Sequence, residues 1–130
     1  NNGAAVTSAT RGVQGSAGAP ALLTISDGPG IYNYGTFAVG SSTPKTFSVS
    51  NSGAVSATGL TDAGAFGAPF VYVGGGYPGT GGTCGAIVTT GSSCTVVIAF
   101  EPSGLGLASD TVQLNYNNGA VGTNTTRDIE

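Results

Sequence analysis

The clearest signal along the chain is a period of two. In Lys45-Thr46-Phe47-Ser48-Val49-Ser50, Phe47 and Val49 fall on one side of an extended backbone while Thr46, Ser48 and Ser50 fall on the other. That pattern predicts a strand buried on one face, and Asn51-Ser52-Gly53 supplies the turn after it. Thr95-Val96-Val97-Ile98-Ala99-Phe100 differs, because Val97 and Ala99 make the second face apolar as well. Six residues rich in β-branching are too few for a stable helix and predict a central strand. Glu101-Pro102 ends it, since proline has no N–H for the ladder.

Weaker signals fill the rest. Residues 21–25 predict a first strand, closed by the turn set Ser26-Asp27-Gly28-Pro29-Gly30. Residues 32–40 form a second extended piece, 54–59 a weaker strand, 60–66 a connection and 69–73 another short strand. The glycine-rich stretch 74–82 predicts a surface loop, and residues 103–106 turn the chain. Val112, Leu114 and Tyr116 point one way from a strand over 111–116, and Asn117-Asn118-Gly119 signals a two-residue hairpin returning over 120–129. About eight short strands without a helical period predict an all-β fold, an antiparallel β-sandwich over residues 21–130. Residues 1–20 show neither period and predict a Gly/Ala/Ser-rich linker or fibre stem. Such an end becomes ordered by packing on something, so a homo-oligomer is expected through residues 1–20.

Composition narrows the partners. The 130 residues suit one domain, 24 of them are glycine, and only 7% are charged. Arg11, Lys45 and Arg127 are scattered, so there is no basic stripe for a phosphate backbone or an anionic lipid face. Nucleic acid is thereby excluded as a partner. No apolar run approaches a membrane span, so no membrane insertion is expected. The chain starts at Asn1 without a methionine or signal peptide, as expected of a processed product or an excised module.

The two cysteines, Cys84 and Cys94, flank a segment containing Gly91-Ser92-Ser93, a turn composition that lets the sulfurs approach. A local disulfide is the simplest reading; the alternative is a pair of buried free thiols. Without histidine, two cysteines do not make a typical structural zinc site, and their spacing is not that of a redox C-x-x-C pair. A disulfide places the protein in an oxidising, extracytoplasmic compartment.

Taken together, Tyr34-Gly35-Thr36-Phe37-Ala38-Val39-Gly40, Thr46-Phe47-Ser48-Val49-Ser50-Asn51-Ser52-Gly53, Pro69-Phe70, Thr83-Cys84-Gly85 and the run from Gly91 through Cys94 to Pro102 form an ordered series. In order and spacing it resembles the bacterial choice-of-anchor D domains, related to the ASPM/SPD-2/Hydin group, over about residues 31–116. The resemblance implies an immunoglobulin-like, non-enzymatic β-sandwich in secreted or surface-anchored bacterial proteins, and it carries no catalytic residues, cofactor or metal. A single module on a low-complexity stem is also similar to the tip of a bacterial fibre adhesin, which implies cell adhesion on the extracellular surface and a trimer as the homo-oligomer formed through residues 1–20.

Candidate chemistry is sparse. The absence of histidine rules out Ser-His-Asp and Cys-His arrangements. Gly74-Gly75-Gly76-Tyr77-Pro78-Gly79 formally fits G-x-G-x-x-G, but no helix follows it. Asn124-Thr125-Thr126 is formally a glycosylation acceptor, with an ordinary strand end as the plainer reading. What remains is the 74–82 loop, with Tyr72, Tyr77 and Thr80 as candidate contacts for a glycan or surface-protein ligand, since tyrosines among small residues give contact area at low entropic cost. The plainer reading is that Tyr72 packs on the sandwich and Tyr77 anchors its own loop.

Overall fold

The structure, a computed structural model, describes residues 5–64 and 66–130. Seven strands form: β1 (Leu23–Ile25), β2 (Thr43–Asn51), β3 (Thr58–Asp62), β4 (Phe70–Tyr72), β5 (Ser93–Phe100), β6 (Asp110–Asn117) and β7 (Gly122–Ile129). They build two sheets, ordered β1-β2-β5-β4 and β3-β6-β7, with antiparallel pairing throughout. In chain order these are the ABED and CFG sheets of a constant-type immunoglobulin sandwich. The described residues contain no helix, and one disulfide joins Cys84 to Cys94. The expected fold class is therefore the observed one.

The core explains the two patterns seen in the sequence. Phe47 and Val49 of β2 and Val96 and Ile98 of β5 meet Leu60, Val112, Leu114 and Ile129 from the opposite sheet, all of them buried. β5 lies between β2 and β4 and is covered on both faces, as its continuous apolar run requires. Tyr34 fills the space between the sheets near one end. Its ring lies 5.7 Å from Phe70 and 5.9 Å from Phe100, and its hydroxyl donates to the Ile98 carbonyl at 2.8 Å.

Four expectations shift. Of residues 32–40 only Tyr32 pairs, in a parallel bridge with Ile129, because the chain crosses from the first sheet to the second between Asp27 (φ 67°) and Gly30 (φ 101°). The third strand is β3, which takes in Leu60, Thr61 and Asp62 from the expected connection; residue 65 of that connection lies outside the described residues. Leu60 is the one large apolar side chain of β3, so a period of two had nothing to repeat on, and a bulge at Gly59 (φ 61°) resets the register between Thr58 and Thr61. The last hairpin has a four-residue loop, 118–121, because the Asn118 side chain caps it: Oδ1 accepts from the N–H groups of Ala120 (3.0 Å) and Val121 (2.9 Å). Lys45, first of the residues expected as a strand over 45–50, lies inside β2 and is half-buried, with Nζ 3.1 Å from Asp27 Oδ2 and 4.8 Å from the Tyr32 ring centre. Of the lead-in, residues 5–20 are exposed and form no strand, and residues 1–4 lie outside the described residues.

Candidate functional site

β4 stops after Tyr72, yet the edge of β5 stays paired, because the 74–82 loop is laid along it. Val73 N–H donates to Val97 O (3.0 Å), Val97 N–H to Pro78 O (2.8 Å), and both Thr83 and Cys84 donate to Thr95 O (2.9 and 3.0 Å). Gly79 is buried against Val97 with φ 87°, and a Cβ there would strike the Val97 carbonyl, so glycine is required at that point. The stretch expected as a surface loop is thus held by backbone hydrogen bonds in the manner of an edge strand.

The three candidate contacts have different fates. Tyr72 is 6% exposed, with its ring 4.9 Å from Phe66 and 5.8 Å from Tyr77, and its hydroxyl donates to Asp62 Oδ1 at 3.2 Å. Burial, and next the Asp62 carboxylate, push its hydroxyl well above the ordinary tyrosine range. Tyr77 is half-buried and donates to the Gly85 carbonyl at 3.1 Å; burial followed by Asp62 pushes it up to about 12. Thr80 faces solvent, while its backbone N–H donates to Val73 O at 2.7 Å. Tyr72 and Tyr77 are brought together, then, and Thr80 is the member of the set whose side chain is exposed.

The disulfide connects this loop to the second sheet. Cys84 is buried, Cys94 is half-buried, and their Cα atoms are 4.8 Å apart. Inside the loop they close, Val88 exchanges two hydrogen bonds of 3.0 Å with Ala57, and Ala86 O accepts from Leu60 N–H at 2.9 Å. Residues 86–88 therefore cover the free edge of β3. Among the described residues, no three His, Cys, Asp or Glu side chains gather as a metal site would need.

Two features escaped the sequence reading. A cleft of about 640 Å³ opens between residues 33–39 and 100–109, lined by Phe37, Val39, Phe100, Pro102, Leu105 and Leu107. The signal for it was two leucines placed among glycines and serines in a segment expected only to turn. The second is Asn51, buried at the end of β2, where its side chain holds four backbone groups.

Comparison with known proteins bears on the whole sandwich. The fold is similar to the VesB protease of Vibrio cholerae (TM-score 0.62, 18% identity), over 85% of this chain and 31% of that one. It is also similar to a protein of unknown function from Porphyromonas gingivalis W83 (TM-score 0.57, 15% identity), over 85% of this chain and 46% of that one. The chain thus spans less than half the length of either. The ASH / PapD-like domain 7 of human CEP192 matches with a TM-score of 0.53 and 12% identity, over 97% of this chain and 93% of that one. No curated protein matches the sequence. The model of one family does match, over residues 25–129, nearly the whole sandwich. The chain belongs to the HYDIN/CFA65/VesB-like family of Ig-like domains.

Proposed function

We propose that this domain is a rigid, non-catalytic module of the choice-of-anchor D type, displayed outside a bacterial cell as the structural or adhesive tip of a fibre. The observation that carries the reading is the Cys84–Cys94 bridge, a bond that persists in oxidising compartments and here binds the β4–β5 connection to both sheets. The exposure of residues 5–20 supports their role as a stem, with trimerisation through residues 1–20. Loops at the ends of a stiff sandwich would do any recognition. Thiol alkylation and mass spectrometry of the protein recovered from fractionated cells test the compartment: the expected result is a blocked cysteine pair in the surface fraction. Reduced cysteines in a cytoplasmic fraction would refute it. Light scattering tests the stem, which predicts a trimer that becomes a monomer on deletion of residues 1–20.

A second reading is specific glycan or protein recognition by the 74–82 loop. It is favoured by the loop's hydrogen bonding to β5, since a pre-ordered loop loses little entropy on binding. Saturable binding weakened by Tyr77→Ala and by Thr80→Arg is the expected result. Thr80→Arg separates contact from folding, and an unchanged dissociation constant in both variants would remove the loop from the site.

A further inference from the structure

Four strands lie at sheet edges, and an edge strand is a template for another strand unless its backbone groups are covered. Along three edges the chain itself supplies partners within the strand. At β1, Leu23 N–H donates to the Tyr116 hydroxyl (3.2 Å) and Ile25 O accepts from Arg127 Nη2 (2.7 Å). At β3, Leu60 N–H donates to Ala86 O (2.9 Å), and Ala57 just before the strand exchanges two hydrogen bonds with Val88 (3.0 Å each). At β4, Phe70 N–H turns back to Gly67 O (3.0 Å) and Tyr72 O accepts from Gly75 N–H (2.8 Å). β7 is closed only at its end, where Asp128 O and Glu130 N–H bond to Tyr32 (2.9 Å each) and Glu130 O accepts from Tyr34 N–H (2.6 Å). Alternation along the strand then turns the N–H and C=O of Gly122, Asn124 and Thr126 away from β6. Among the described residues these groups have no hydrogen-bond partner.

We propose that this open stretch pairs with its own counterpart in a second copy of the chain, β7 against β7, antiparallel about a two-fold axis through Asn124. In that register Asn124 faces Asn124 and Gly122 faces Thr126, so the outward groups of both copies meet in hydrogen-bonded pairs. The charges of the strand, Arg127 and Asp128, fall beyond the paired residues, and no like charges stand opposite each other. The ends are complementary as well. Val121, 60% exposed, precedes the open stretch, and Ile31, 54% exposed, adjoins Tyr32 beside its far end. An antiparallel two-fold axis exchanges the ends and directs each Val121 toward the Ile31 of the other copy. Five paired residues fall well short of the ~800 Å² per partner of a standard interface, so the dimer is weak and concentration-dependent. It does not depend on residues 1–20.

Sedimentation equilibrium of the full chain tests this from about 10 μM to about 1 mM, the range over which a weak interface dissociates. The expected result is a reversible rise with concentration toward twice the mass found at the lowest concentration, with residues 1–20 present or deleted; in the chain without them it runs from one chain toward two. Asn124→Pro removes an N–H that points away from β6 and should abolish the rise without shifting the thermal midpoint; Val121→Glu should weaken it. In the wild-type chain, amide exchange at Gly122, Asn124 and Thr126 should slow as concentration rises, a readout that needs no variant. A mass that does not rise with concentration, a rise that survives in a folded Asn124→Pro, a rise lost with residues 1–20, or concentration-independent exchange at those amides would each overturn the proposal.

Discussion

At the scale of one residue, Asn51 shows how a turn signal conceals a larger role. Its Oδ1 accepts from Leu22 N–H (3.2 Å) and Gly53 N–H (2.9 Å), and its Nδ2 donates to Val55 O (2.9 Å) and Val88 O (3.0 Å). One side chain thus joins the start of β1, the turn after β2 and the disulfide loop. Asn51→Ala would leave four backbone groups without that partner, at a cost of about 2–4 kcal/mol when buried groups lose theirs. Urea unfolding measures it, and a loss below about 1 kcal/mol would mean that water replaces the carboxamide. Asn51-Ser52-Gly53 was legible as a turn because its preference for turning is local. The bond to Val88 was not, since that partner lies 37 residues away. Tyr72 is a parallel case: as a residue it was a candidate contact, and the depth to which β4 is buried turned it inward.

At the scale of the element, the disulfide loop is the piece that joins the two sheets on one side. Its backbone reaches Ala57 and Leu60 on the β3 side, while Thr83 and Cys84 bond to Thr95 on β5. Closing so short a loop restricts the unfolded chain by about 2.5–3 kcal/mol in the entropic account. Reduction is expected to release protection first at the amides of Ala57, Leu60 and Val88 and in the 74–82 loop, with the β2–β5 and β6–β7 ladders keeping theirs. Hydrogen exchange with and without reductant reads this directly. Uniform loosening of all strands would show instead that the bridge supports the whole sandwich. The spacing of Cys84 and Cys94 made a staple legible, but the edge that the staple protects could not be read, because β3 has a single large apolar residue and little pattern of its own.

At the scale of the whole molecule, burial of the tyrosines sets the response to alkali. Tyr34, Tyr72 and Tyr77 are all pushed above the ordinary value of 10.0. Burial is the largest cause in each, followed by Tyr32 for Tyr34 and by Asp62 for the other two. The folded chain therefore keeps protons that the unfolded chain releases near 10, so their contribution is complete below that pH and is lost as pH rises toward about 12 for Tyr77 and beyond for the others. The urea midpoint is expected to stay level up to pH 10 on this account and to fall above it, with tyrosinate absorbance lagging until unfolding; an unchanged midpoint at about pH 11 would contradict it. Local chemistry in the sequence alone determined the fold class, the central strand β5, the half-buried strand β2, the turns at 26–30 and 51–53, and a cysteine pair able to close, since side-chain alternation and turn preference act over a few residues. Only the tertiary structure decided that the glycine-rich loop lies along β5, that residues 86–88 cover β3, that Leu105 and Leu107 line a cleft, and that β7 keeps five residues of open edge. Each of these depends on backbone groups distant in the chain finding or lacking a partner, and no local pattern records that.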